Sequence, residues 1–143
     1  MTFSEWLQAA VLESGRAGMF VADDWLQGHS AFGGLQAAAC WLAMRTLVPA
    51  ETPLRSLQMT FIAPVPPGPV RAEATLLRTG KSAAHVEARL LVEGQCCATA
   101  TGVFGAARAS QVMQEPVRPV VEHAAPILLP FLPGTTPAFT QHF

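Results

Sequence analysis

The segment from Phe32 to Val48 carries Leu35, Ala37, Ala38, Ala39, Cys40, Trp41, Leu42, Ala43 and Met44, which leaves a helix there no polar face. A helix that is apolar all round has to be surrounded by protein or by lipid. Lipid is excluded by length: Gln36 and Arg45 interrupt the run, and no stretch approaches the roughly 18 uninterrupted apolar residues of a membrane span. The rest of the chain must therefore enclose about four turns of helix. Pro49 closes that helix, because proline disfavours helical backbone in the residue before it.

What encloses it reads as sheet. Leu57, Met59 and Phe61 alternate with Gln58 and Thr60, and Val70, Ala72, Ala74 and Leu76 alternate with Arg71, Glu73 and Thr75. Ala84, Val86, Ala88, Leu90 and Val92 form a third such face, with His85, Glu87 and Arg89 on the exposed side. Cys96–Phe104 alternates less cleanly, with Ala98, Ala100 and Gly102 on one face and Thr99 and Thr101 on the other. Period-two patterning, broken by turn signals at Thr79-Gly80 and Glu93-Gly94, predicts an antiparallel meander. All twelve prolines fall in two windows, Pro49–Pro69 and Pro116–Pro137. The proline-free block between them is the sheet interior, where proline would remove ladder hydrogen bonds. One sheet around one buried helix is an α+β design, and 143 residues suffice for one core.

Ahead of these elements, Thr2-Phe3-Ser4-Glu5 has the form of a capping box, predicting a helix from Phe3 to Glu13 with Gly15 as its C-terminal cap. Gly18–Ala22 reads as a short strand, followed by Asp23, Asp24 and Trp25. Beyond Phe104, the apolar clusters Ile127-Leu128-Leu129 and Phe131-Leu132 show neither helical nor strand period. The expected division is a single domain over 1–108 and a proline-rich extended segment over 109–143, lying against another surface.

Charge narrows the function classes. Charged residues are 13% of the chain, the net charge is −1, and Lys81 is the single lysine. No basic footprint for nucleic acid exists. Met1–Ala10 lacks the basic start of a secretory signal, so a cytoplasmic location is expected, with no membrane partner. Cys40, Cys96 and Cys97 have no metal-ligand spacing, and neighbouring strand residues point to opposite faces. They are expected to be buried free thiols, and neither a metal nor a cofactor is implied.

The order of helix, Gly-Gly, buried helix and long strands resembles the hotdog fold. Trp25-Leu26-Gln27-Gly28-His29-Ser30-Ala31-Phe32-Gly33-Gly34, Pro53-Leu54-Arg55-Ser56-Leu57-Gln58-Met59-Thr60-Phe61-Ile62-Ala63-Pro64, Pro67-Gly68-Pro69-Val70 and Leu77-Arg78-Thr79-Gly80-Lys81-Ser82 resemble the first half of the acyl-CoA thioesterase II-like proteins. The resemblance runs from about Ala17 to Ala106. That family joins two hotdog modules in one chain about twice this length. The closing Pro137-Ala138-Phe139-Thr140-Gln141-His142-Phe143 looks like the lead-in to a second module.

Thioester hydrolysis needs a donor for the carbonyl oxygen and a group that activates water. Gly33 and Gly34 open the buried helix, where orphan N–H groups and the positive dipole end meet whatever docks. Without side chains they let an oxygen approach the Gly34 N–H, as in an oxyanion hole; they also suit a tight entry into a crowded helix, and both roles can hold. His29 and Asp24 are the candidates for activating water, with Asp23 and Ser30 beside them. Histidine is the residue type best suited to base chemistry near neutral pH, which favours His29, yet His29 also fits an exposed loop, with Ser30 as the helix N-cap. In the family, the resemblance implies, the Asp, Thr and Gln that activate water belong to the second module. No such set carries onto this chain. Phe32, Gln36 and Gln58 are candidates for the acyl-CoA channel. Arg78, Lys81 and Ser82 are candidates for meeting the CoA phosphates or for ordering the turn, with Lys81 where the family pattern has arginine.

The expected function is acyl-CoA hydrolysis. The alternative is a non-catalytic acyl-CoA-binding or structural half that needs another hotdog module. A hydratase would need a histidine–carboxylate loop motif that the chain lacks. Either main reading predicts a dimer or higher homo-oligomer paired through sheet edges.

Overall fold

The computed structural model describes residues 1–112, 114–120 and 132–142. The clusters at Ile127-Leu128-Leu129 and Phe131 lie outside the described residues. Helix α1 (Phe3–Gln8) opens on the expected capping box: the Glu5 N–H donates to Thr2 Oγ1 at 3.3 Å, and the Thr2 N–H donates to Glu5 Oε2 at 2.8 Å. It ends five residues earlier than its apolar spacing predicts. Val11–Glu13 instead forms β1, which turns through Ser14-Gly15 into β2 (Arg16–Val21).

Gly15 is thus a hairpin residue rather than a helix cap. Its φ of +72° suits glycine, and an added Cβ would stand 2.9 Å from the Ala74 carbonyl oxygen. Its N–H donates to Thr46 Oγ1 and its carbonyl accepts from the Ala74 N–H, each at 2.7 Å. A two-residue turn tied at both ends outweighs the weak helical period of Ala10 and Val11.

A 3-10 turn (Asp23–Trp25) leads into a small hairpin, β3 (Leu26–Gln27) and β4 (Ser30–Ala31), and then into α2 (Gly33–Arg45). Phe32 is the N-cap of α2 and offers no side-chain bond. Ser30 is therefore not the cap; its Oγ accepts from the Val65 N–H at 3.0 Å. Arg45 ends the helix, its guanidinium donating to the carbonyls of Pro49, Ala50 and Thr52. Enclosure is incomplete along one stripe: Ala37, Ala38, Trp41 and Arg45 are half-buried.

The sheet order is β1-β2-β6-β7-β8-β5, all neighbours antiparallel. Strands β6 (Gly68–Thr79), β7 (Ala83–Val92) and β8 (Gln95–Gly105) form the expected meander. Strand β5 (Leu54–Phe61) does not join it beside β6; it crosses to the far edge, against β8. The connection 62–67, with Pro64, Pro66 and Pro67, is extended because proline favours that backbone, and it spans the crossing. Leu76 lies opposite buried Val86 and so shares its face, but it is itself 41% exposed, and a register shift follows it in β6.

The face toward α2 is built of small and medium residues, among them Ala72, Val86, Ala88, Ala98 and Ala100, all buried. Small side chains there let the helix backbone lie close to the strands, which is how one helix can be covered on most sides. Cys40 lies in this contact, and burial, with Cys96 nearby, pushes its thiol up to about 12. At pH 8 a thiol reagent is expected to label half-buried Cys96 in the folded protein and to reach Cys40 only on unfolding, read by mass mapping. The unfolded thiol ionises near the ordinary value of 9.0 while the folded one stays protonated. Stability from this group is thus intact below that pH and falls as pH rises toward about 12.

Candidate active site

The first turn of α2 is the floor of the site. The Leu35 and Gln36 N–H groups donate to the Phe32 carbonyl at 2.9 and 3.3 Å, and no acceptor among the described residues meets the N–H of Gly33 or Gly34. Two orphan donors at the positive end of a 13-residue helix favour an oxygen carrying negative charge. Beside them lies an open cleft of about 410 Å³, lined by Gln27, Ser30 and Ala31 of the small hairpin, Gly33 and Gln36 of the helix, and Phe61, Ile62, Ala63 and Pro64.

The walls are fixed by main-chain bonds. The Ala31 N–H donates to the Val65 carbonyl at 2.7 Å, and the Ile62 and Ala63 N–H groups both donate to the Cys97 carbonyl. The Phe32 N–H donates to the Trp25 carbonyl at 2.9 Å. None of the lining residues is ionisable, so the cleft can hold and polarise a carbonyl but offers no base of its own. Among the described residues no three His, Cys, Asp or Glu side chains gather as metal ligands would.

The candidate residues divide by place. Gly33 and Gln36 line the cleft; Gly34 follows Gly33 but is exposed, and Phe32 packs against it. His29 is exposed at the tip of the β3–β4 hairpin. Asp24 is turned to the opposite chain end: its Oδ2 is 3.3 Å from His142 Nε2 and 3.8 Å from the N-terminal amine. Gln58 is exposed on edge strand β5, between Leu57 and Met59, which pack on the core; it is not a polar residue in apolar surroundings, as its sequence neighbours suggested.

Arg78, Lys81 and Ser82 sit at the β6–β7 turn. Thr79 pairs with Ala84, Ala84 with Phe104, and Phe104 with Leu54. That turn is therefore at the Leu54 end of β5, whereas the cleft is at the Phe61 end.

Sequence reasoning missed two things. One is the wall 61–64, whose approach to the helix depends on β5 crossing the sheet. The other is the short 3-10 turn Ala138–His142: Phe139 stacks on Phe32 at 4.2 Å, and His142 stacks on Trp25 at 3.9 Å. Both contacts join residues more than one hundred positions apart, and no local pattern signals them.

The family model of the acyl-CoA thioesterase N-terminal domain matches residues 21–105, more than half of the chain. This chain belongs to that family. The thioesterase resemblance and the α+β hotdog architecture are thereby borne out, and no helix among the described residues is long and apolar enough to cross a membrane. No curated protein matches the chain.

Solved structures agree on the fold of this thioesterase-family domain. A hotdog protein of unknown function from Alicyclobacillus acidocaldarius is 27% identical with a TM-score of 0.73, covering 86% of this chain and 47% of its own. A protein from Thermobifida fusca, named provisionally as a thioesterase II, is 22% identical with a TM-score of 0.63, covering 88% of this chain and 46% of its own. A Bacillus halodurans protein crystallised with CoA is 22% identical with a TM-score of 0.58, covering 65% of this chain and 69% of its own. The chain spans about half the length of the first two.

Proposed function

We propose that this acyl-CoA thioesterase family domain binds an acyl-CoA thioester in the cleft at the start of α2 and promotes its hydrolysis to free acid and CoA. The observation that carries the reading is that the N–H groups of Gly33 and Gly34 meet no acceptor among the described residues, with Gly33 lining a cleft without ionisable side chains. A thioester oxygen placed there gains negative charge as water adds to the carbonyl carbon, and preorganised donors stabilise that charge most where water is excluded. The C–S bond then breaks, the acid keeps the water oxygen, and the sulfur takes a proton. The CoA bound to the Bacillus halodurans fold neighbour supports CoA as the carrier. Free thiols at Cys40, Cys96 and Cys97 suit a reducing compartment such as the cytoplasm, and the reaction class belongs to fatty acid metabolism.

An ionisable base that activates water comes from outside this cleft, because its lining offers none. Strand β5 has no strand on its outer edge among the described residues, and the α2 stripe of Ala37, Ala38 and Trp41 is only half covered. We read both as the surface on which a second hotdog, another copy or another module, completes the site; His29 and the Arg78–Ser82 turn would then act from that partner. The same observation favours a second reading, a non-catalytic acyl-CoA-binding half. One experiment separates them: the protein incubated with acyl-CoAs of several lengths and a thiol reagent, its mass followed by light scattering. Release of CoA by a dimeric species is the expected result. Calorimetric binding without release favours the non-catalytic half, and a monomer that neither binds nor releases removes both.

A further inference from the structure

The 3-10 turn Ala138–His142 touches both ends of the small hairpin that walls the cleft. Phe139 stacks on Phe32, just after β4, with ring centres 4.2 Å apart and planes 5° apart. His142 stacks on Trp25, just before β3, at 3.9 Å and 12°. His142 Nε2 is 3.3 Å from Asp24 Oδ2 and 3.2 Å from the Asp24 carbonyl oxygen, to which Gln141 Nε2 also donates at 3.3 Å. Phe32 and Trp25 are themselves joined, the Phe32 N–H donating to the Trp25 carbonyl at 2.9 Å. The turn therefore pins the two residues between which Gln27, Ser30 and Ala31 reach the cleft.

Phe32 matters beyond the hairpin because it is the N-cap of α2. Its carbonyl accepts from the Leu35 and Gln36 N–H groups, and these bonds close the first turn and so set where the Gly33 and Gly34 N–H groups point. Two features leave that turn in need of support. Phenylalanine has no side-chain acceptor with which to cap a helix, and the helix opens on two glycines, the residues with most backbone freedom to lose. The Phe32 ring lies against Gly34, close enough that no side chain fits there, and Phe139 is stacked on that ring. Donors stabilise a developing charge only as far as they are held in place beforehand.

Resting on the proposed thioesterase reading, we propose that Phe139 is a positioning residue: through Phe32 it holds the first turn of α2, so that the Gly33 and Gly34 donors are in place for the thioester oxygen. His142 and Gln141 anchor the turn that carries it, on Trp25 and Asp24. No described residue of that turn lines the cleft, so the effect passes through Phe32 and not by contact with substrate.

The test compares the full chain with its Phe139→Ala and Phe139→Tyr variants by amide hydrogen exchange, read residue by residue by NMR. In Phe139→Ala the Phe32, Leu35 and Gln36 amides are expected to exchange about two- to tenfold faster, the worth of one aromatic pair. Val86 and Ala88 of β7 should keep their wild-type rates. Phe139→Tyr, which keeps the ring, should restore the wild-type pattern. With an acyl-CoA as substrate, kcat of Phe139→Ala should fall by a similar factor at unchanged KM, as for an interaction realised in the transition state. Unchanged exchange at those three amides overturns the inference, as does faster exchange spread equally over β7. An unchanged kcat in Phe139→Ala also overturns it, and leaves the thioesterase reading standing. If the wild type itself releases no CoA, that reading fails, and the exchange pattern still decides whether Phe139 holds the start of the helix.

Discussion

Gly33→Pro is expected to lower CoA release by about 10²–10³-fold, the loss usual for removing one oxyanion donor, while leaving the fold intact. The position makes the test clean. Gly33 is the first residue of α2, where proline is well tolerated: the N–H that it removes has no partner within the helix, and its fixed φ suits the turn. The preceding residue, Phe32, has φ −49° and ψ 131°, the extended backbone that proline requires before it. A Cβ at Gly33 comes to 3.0 Å from Phe61 Cζ, the far end of an exposed ring that can move.

Gly34 gives no such test. A Cβ there would stand 2.4 Å from Phe32 Cε1, and that ring is stacked on Phe139, so substitution disturbs the wall along with the donor. Gly33→Ala is the control, since it adds the Cβ and keeps the N–H. It should lose less than about tenfold in rate relative to wild type, well short of the loss for a missing donor. If the proline and alanine variants release CoA at similar rates, the Gly33 N–H does not hold the thioester oxygen.

The parts of this molecule that were legible in its sequence are those decided by local patterning. The helix from Gly33 to Arg45 is apolar on nearly every side because it is enclosed on nearly every side, and the faces led by Val86 and Ala98 alternate because one side of the sheet is buried. The Glu93-Gly94 turn has both residues at positive φ, the backbone that a two-residue hairpin demands. Non-local choices stayed hidden. Whether β5 pairs with β6 or with β8 depends on sheet order, which its Leu57/Met59 alternation does not encode. Val11–Glu13 fits a helix by spacing and a strand by its partner, and the partner decided.

The candidate site shows the same division. Gly33, Gly34 and Gln36 could be singled out because glycine and an isolated amide are conspicuous at the entry to an apolar helix. The Ile62–Pro64 wall owes its place to a crossover, and Ser30 answers to Val65 rather than to its own helix. Asp24 and His29 are near Gly33 in sequence, but the small hairpin and the Trp25–His142 stack turn them elsewhere. Proximity in sequence was a poor guide wherever a tight turn intervened.

Phe104→Ala, at the other end of α2, is expected to cost about 3–5 kcal/mol of stability. Phe104 is fully buried, and the Arg45 guanidinium lies over its ring at 5.5 Å from the centroid. That guanidinium is held by three carbonyls beyond the helix, so it cannot drop into the space a missing ring leaves. Gly102 has no side chain to offer, and Met44 Sδ already stands 2.8 Å from where its Cβ would be. With both neighbours fixed the cavity stays open, which places the cost toward the high end of its range. Against a total of about 5–15 kcal/mol, the thermal midpoint should fall on the order of 10–20 °C, with the denaturant midpoint lowered and the slope unchanged. A loss below about 1 kcal/mol would mean that the Arg45 end repacks. Since the cleft lies at the Gly33 end, the folded fraction of Phe104→Ala should release CoA at the wild-type rate. Gly33→Pro should do the reverse, keeping the melting point and losing the rate, so the two ends of one helix separate stability from chemistry.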